Sequence, residues 1–405
     1  MVAEAEDIPA GYKRTEVGVI PDDWDVVILT DLCGFKNGGA HEPFIDPEGE
    51  FICVNSKFIS TEGKVRKRSL KNLTPARTGD VLIVMSDLPN GKALAKTFLV
   101  DRDDLYAVNQ RIGRLSPRSG SSKFLSATLN RNLYFLKFDD GVSQTHLLNP
   151  VFKECLVPQP SEIEQSVIAE ALTDTDEAIR ALEAVIAKKR NVKQATLHAL
   201  LIPTRRLPGF NGEWVESTLG KIANIVRGAS PRPISDPKWF ELESNIGWVR
   251  ISDVTSSKRV LSDTTQKLSN LGILNSRYVS ADNLIMSICA TVGRPIVTKI
   301  DVCIHDGFVV FENLKASQSF IFYLLCELEK WWGDMGQTGS QMNLNTEMIK
   351  SKEIRLPSLP EQTAIASVLS DMDNEIEALE ARLDKLRDIK QGMTQVLLTG
   401  KVRLV

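Results

Sequence analysis

SEIEQSVIAEALTDTDEAIRALEAVIAKKRNVKQATLHALLIPTRRL at 161–207 and SLPEQTAIASVLSDMDNEIEALEARLDKLRDIKQGMTQVLLTGKVRL at 358–404 are two copies of one segment. At a shift of 197 residues, Glu164-Gln165 falls on Glu361-Gln362, Ile168-Ala169 on Ile365-Ala366, Lys193-Gln194 on Lys390-Gln391 and Arg206-Leu207 on Arg403-Leu404. The same shift reaches back without a gap to Ser143-Gln144 and Ser340-Gln341. Further upstream the match loosens: Trp24 pairs with Trp214 and Gly38 with Gly228 at a shift of 190, and Gly79 to Ile83 resembles Ala281 to Ile285 at 202. Two copies are too few for a solenoid, which needs about three units. Pseudo-twofold symmetry within one chain is the expectation.

Each copy opens on Ser-x-x-Glu, Ser161 to Glu164 and Ser358 to Glu361, a capping box that predicts a helix start. In the second copy Leu369, Met372, Ile376, Leu379, Leu383, Leu386, Met393 and Leu397 alternate spacings of three and four, interrupted at Lys390. That is a coiled-coil seam. In the first copy Leu172, Ile179, Leu182, Ile186 and Leu200 keep the register; Thr175, Lys189, Lys193 and Thr196 weaken it, and Val185 and Val192 form an adjoining stripe. A lone helix with one apolar face is unstable in water, so the two are expected to pair. A twofold axis makes them antiparallel, in a rod of roughly 60 Å that holds two domains apart. The plainer alternative, that each stripe is ordinary core, is weakened by duplication in fixed register.

The expected fold is therefore mixed α/β (α+β): globular domains at 1–160 and 207–357, and spacer helices at 161–206 and 358–405 that form an antiparallel coiled coil. Short β-type runs such as Gly79 to Met85, Asn283 to Ile288 and Gly307 to Phe311, separated by turn-rich basic segments, support the mixed class. No apolar run approaches the roughly 20 residues of a membrane span, and the acidic opening MVAEAEDIPAGY lacks the apolar region of a secretory signal. A cytoplasmic location without membrane contact is expected. Six scattered cysteines and four dispersed histidines suggest neither a zinc site nor a disulfide framework.

The net charge of −3 runs against nucleic-acid binding in bulk, but binding depends on where cations sit. The densest cluster is GKVRKRSLK at 63–71, where Lys64, Arg66, Lys67 and Arg68 would grip phosphates, unless the segment is a plain solvated loop. The second half spreads Arg227, Arg232, Lys238, Arg250, Lys258, Arg259, Lys267 and Arg294 over several loops. Asn37, Asn109-Gln110-Arg111, Gln144, Gln341 and Asn343 carry the amides and guanidinium that bond base edges in two places. Such residues also cap turns and end strands. Trp24 and Trp214 read as core anchors.

Chemistry is hard to find. A self-contained DNA methyltransferase would carry Asn/Asp-Pro-Pro-Tyr/Phe; Asn149-Pro150-Val151-Phe152 lacks the second proline and falls on Thr346-Glu347-Met348-Ile349 in the repeat, so it is structural. Gly91-Lys92 has Ser86 where a phosphate loop needs its first glycine. The chain reads as a binding protein with no catalytic residues or bound cofactor of its own.

Several stretches resemble the specificity subunits of Type I restriction-modification systems: Gly339-Ser340-Gln341-Met342-Asn343-Leu344, then Leu356 through Gln362 with Ile365-Ala366 and Leu369, with a degenerate copy from Ser143 to Gln165. Tyr12 through Pro21 followed by Trp24, and Gly79 through Ile83 with Gly91 downstream, are similar too. Glu162-Ile163 departs from the Pro-Leu-like residues usual before Glu-Gln. The resemblance implies two target-recognition domains, each reading one half of a split site on double-stranded DNA. Two methyltransferase subunits along the helices, and translocating nuclease subunits beyond them, are implied as partners that hold S-adenosylmethionine, ATP and Mg²⁺. Much of the acidic surface would then face protein. The competing reading is a coiled-coil scaffold with two protein-binding domains.

Overall fold

The computed structural model describes residues 8–89, 91–334 and 344–404. The chain divides into two compact units, residues 1–183 with 382–405, and residues 184–381. This division differs from the four segments drawn on the sequence, because each unit takes part of both long helices. Packing, rather than element boundaries, sets where the contacts thin.

In the first unit Val81–Val84 is buried along its whole length, as a continuous apolar run predicts for a central strand. It lies in an antiparallel sheet ordered Cys33–Asn37, Ile112–Pro117, Val81–Val84, Thr97–Leu99. Beside it Phe51–Val54 pairs in parallel with Tyr106–Val108 and antiparallel with the edge strand Lys67–Ser69. The second unit repeats the plan with additions. Leu284–Ser287, wholly buried, is central to a five-stranded sheet. Gly247–Val249 pairs in parallel with Val302–Ile304 and antiparallel with Gln266–Lys267. Mixed α/β architecture is what both sheets show.

The 197-residue shift recurs in the secondary structure. Short helices at Asn149–Lys153 and Thr346–Ser351 precede strands at Leu156–Gln159 and Glu353–Leu356, and the long helices run Glu162–Leu200 and Leu359–Leu397. The strands pair with Asp25–Ile28 and Val215–Thr218 respectively. Phe152, from the rejected methyltransferase-like motif, is fully buried and stacks on Phe35 at 4.4 Å between ring centres. It is core.

Within each unit the two long helices run antiparallel. In the first, Asp176 meets Lys390 at 2.5 Å and Glu183 meets Arg387 at 2.6 Å, while Leu172 and Leu397 share a core with Trp24 and Phe124. In the second, Lys189 meets Glu375 at 2.6 Å, Arg190 meets Glu380 at 2.5 Å, Lys193 meets Asp373, and Leu197 and Leu200 pack with Ile365 and Leu369. Of the seam residues, Leu172, Ile186, Leu369, Ile376 and Leu383 are buried, and Ile179, Leu182, Met372, Leu379 and Leu386 are half-buried. The lysines that weaken the apolar pattern are each matched by an acid from the opposing helix, so they interrupt hydrophobicity without interrupting pairing. Val185 and Val192 stay 44% and 45% exposed; their stripe faces outward.

The capping boxes need correcting. Ser161 Oγ does accept the Glu164 N–H at 3.3 Å, but the Glu164 carboxylate accepts from Trp24 Nε1 at 3.0 Å and from the Arg403 guanidinium. Its repeat Glu361 is held by Arg206 through two bonds of 2.6 Å. Each glutamate thus ties the start of its helix to the segment after the other helix. The neighbouring glutamines are equally matched: Gln165 accepts from the Ser121 N–H and donates to the Pro160 carbonyl, as Gln362 does with Ser317 and Pro357. Trp24 is fully buried and Trp214 packs on Phe320, an anchor in each unit. Among the described residues, no helix is long and apolar enough to cross a membrane.

Candidate nucleic-acid interface

In both units one glycine makes a closer approach than any other residue type permits. A Cβ on Gly38 would stand 2.0 Å from the Asn109 carbonyl oxygen, and one on Gly228 would stand 2.0 Å from that of His305. The flanking bonds are the same: Gly38 and Gly39 donate to Ile112 and Val108, and Gly228 and Ala229 donate to Phe308 and Ile304. The end of one strand is thereby locked against a tight turn, Asn109-Gln110-Arg111 in the first unit and His305-Asp306-Gly307 in the second. Asn37 and Arg227, the residues just before each glycine, are exposed there.

Of the first-unit candidates, Asn37 and Asn109-Gln110-Arg111 are therefore brought together, with one correction. Gln110 and Arg111 are exposed on the turn. Asn109 is only 5% exposed and donates its amide to Glu42 Oε1 at 3.0 Å and toward Cys53 Sγ. Its side chain fixes the turn and offers nothing outward. The bond from Asn109 is the main cause that holds the Glu42 carboxyl below its ordinary range. Lys67 and Arg68 lie on the edge strand beside Phe51–Val54, preceded by Lys64 and Arg66, all four exposed. Arg66 and Arg68 donate to the Gly63 and Gly49 carbonyls. Among the described residues none of the four is within 4.0 Å of a carboxylate, so no ion pair neutralises their charge.

The second unit carries a cleft of about 1080 Å³ beside its turn, lined by Arg232, Trp248, Arg250, Gln266, Lys267 and Asp306 among others. Asp306 organises its mouth. Oδ1 accepts from Ser230 Oγ at 2.6 Å, Oδ2 from Arg232 Nη2 at 3.1 Å, and its backbone oxygen from Arg227 Nε at 2.7 Å. The Ser230 bond first, with Arg232 and His305 adding, holds the Asp306 carboxyl below its ordinary value. His305 Nδ1 accepts the Gly307 N–H at 2.9 Å, and burial lowers its pKa despite the adjacent Asp306.

Two other candidates lie elsewhere. Arg294 is half-buried, 3.8 Å from Glu329 and bonded to the Ser257 carbonyl, so it braces the helix Gln318–Asp334 rather than facing a ligand. Gln144 is exposed but bonds Ser86 Oγ at 3.3 Å, next to the Thr145–His146 strand. Gln341 and Asn343 lie outside the described residues. Sequence reasoning missed Glu42, Ser230 and Asp306. Glu42 and Ser230 follow Gly38 and Gly228 within four residues and Asp306 lies on the turn that Gly228 packs against, signals legible only once those glycines are known to anchor a turn.

A family model described as the Type I restriction modification DNA specificity domain matches the chain twice, over residues 21–189 and 211–388. The putative type I restriction enzyme MjaX specificity subunit of Methanocaldococcus jannaschii is 22% identical over 97% of both chains. The MjaVIII specificity subunit of the same organism is 22% identical over 95% of this chain and 94% of its own. Among solved structures, the S subunit of a Type-I restriction-modification system from M. genitalium aligns with a TM-score of 0.59 at 17% identity, covering 92% of this chain and 96% of that one. A chain from a structure describing complex assembly of the type I R-M system aligns at 0.62 and 18% identity, covering 95% and 99%. The two matched stretches each take a globular part with much of the long helix that follows, and the chain belongs to the family of Type I restriction-modification DNA specificity subunits.

Proposed function

We propose that this specificity subunit reads a bipartite duplex target, one half-site per globular domain, and that its two helices set the gap between them. The helices act as an antiparallel coiled coil with a pseudo-twofold axis. The observation that carries this reading is repetition in the contacts themselves: Asp176 with Lys390 and Asp373 with Lys193 are one pair written twice, as are Glu164 with Arg403 and Glu361 with Arg206. Dyad-related readers suit a duplex, whose strands are themselves related by dyads.

Two methyltransferase subunits bind along the helices in this reading, where the exposed Val185 and Val192 offer apolar contact, and nuclease subunits join them. S-adenosylmethionine, ATP and Mg²⁺ act in those partners, in the cytoplasm. The test is a two-heptad insertion at the equivalent positions after Ile186 and Leu383. Fourteen residues add about 21 Å of helix, or about six base pairs at 3.4 Å each. Methylome sequencing should show a wider gap between unchanged half-sites. Altered half-sites at the old spacing would defeat the ruler.

A further inference from the structure

Four residues past the locked glycine, the two domains place side chains of opposite charge against the same turn. In the first it is Glu42, which accepts from Asn109 on the turn. In the second it is Arg232, which donates to Asp306 on the turn. From this inversion we infer that Arg232 is the guanine-reading residue of the second domain and that Asp306 is its positioning residue, an inference that rests on the DNA-reading role proposed above.

The chemistry favours a base over a phosphate. The Arg232 side chain is 70% exposed at the cleft mouth, and among the described residues only its Nη2 is hydrogen-bonded, to one carboxylate oxygen, so the second Nη2 N–H stays available to form a fork with Nη1 or Nε. A guanidinium presents donors in a rigid fork that matches O6 and N7 of guanine. A fork is useful only when its direction is set, and Asp306 sets it. The carboxylate is itself held by Ser230, and the main-chain carbonyl of Asp306 by Arg227. Phosphate contact needs no such brace, since it carries no base-edge pattern to match. Glu42 at the matching place has acceptors only, so it cannot bond guanine O6 or N7. The two half-sites should therefore differ at this position.

The experiment uses the full chain assembled with its methyltransferase partner and selects binders from randomised duplexes, for the parent, Arg232→Ala, Arg232→Lys and Asp306→Asn. In the parent, the half-site that survives exchange of residues 16–157 should contain a guanine. Arg232→Ala and Arg232→Lys should each lower preference for that guanine roughly ten- to a hundredfold, with the other half-site, the gap and the salt slope unchanged. Asp306→Asn should blur the same position less. If Arg232→Lys retains the preference, or Arg232→Ala weakens all sequences alike and reduces the salt slope by about one, the residue is a phosphate contact and the inference fails. A parent with no sequence preference would instead refute DNA reading itself. Circular dichroism of each variant guards against unfolding, which an exposed side chain is not expected to cause.

Discussion

Removing Arg403 should cost far more than removing any other cation of the helix pairs in the first unit. Glu164 is 1% exposed and its carboxylate is satisfied by Arg403 and the Trp24 indole. Arg403→Ala leaves that charge buried with one neutral donor, and stranding a buried carboxylate costs about 3–5 kcal/mol. The surviving bond from Trp24 places the expected loss near the lower figure, about 3 kcal/mol. Glu164→Gln keeps an acceptor for the indole, and Arg403 keeps its two 2.9 Å bonds to Asp23, so this change should cost about 1 kcal/mol. The double variant then lacks the stranded charge and should be more stable than the sum of the single losses predicts, by about 2 kcal/mol. Glu183 with Arg387, where the side chains are 37% and 51% exposed, is the control: either truncation should cost under about 1 kcal/mol. Urea denaturation of the parent and these variants, followed by circular dichroism, measures the cycle. Additivity within about 0.5 kcal/mol, or an Arg403→Ala loss no greater than the control, would refute the reasoning.

The glycines separate the same way: Gly228→Ala meets a carbonyl at 2.0 Å and should destabilise by about 1–3 kcal/mol, whereas Gly392→Ala, in the second long helix with nothing within 4 Å, should stabilise by about 0.5–1 kcal/mol; thermal melts of both variants check this. Because the folded-state pKa of His305 is lowered below 6.5, the unfolded chain takes the proton first as pH falls. Stability present above pH 7 should therefore decline from about pH 6.5 downward, and His305→Gln should flatten that decline in urea titrations between pH 7 and 5. Replacing Lys64, Arg66, Lys67 and Arg68 with glutamine should reduce the slope of log affinity against log salt by about 0.9 for each phosphate no longer neutralised, and a filter-binding series with an unchanged slope would remove the cluster from the interface.

The repeated helices were legible in the sequence because both periodicity and duplication are local patterns, and the family resemblance that rests on them is borne out over both halves. The lysines read less well. Lys193 and Lys390 look like flaws in a seam until Asp373 and Asp176 are seen opposite, and no single-strand pattern reports what faces a residue across an interface. Glu164 was legible as a helix-start residue but not as an ion-pair partner of Arg403, which lies 239 positions away. In the variable domains, amide and basic side chains were chosen by type. Type does not distinguish Asn109, turned inward onto Glu42, from Gln110 beside it, turned out. Only the sheet that carries them decides that.

The division of the chain into units has a temporal side. Residues 184–381 form one uninterrupted stretch, whereas the first unit joins 1–183 to 382–405. On the ribosome the second unit can close as soon as it clears the exit tunnel, while the first waits with Ile20, Trp24, Phe124 and Leu172 lacking the cover of Leu397. A chain stopped after residue 381 would release one finished unit and one with its apolar surface open, the species from which aggregation starts. Residues 382–405 act as a latch, and the domain whose synthesis begins first is the last able to finish folding.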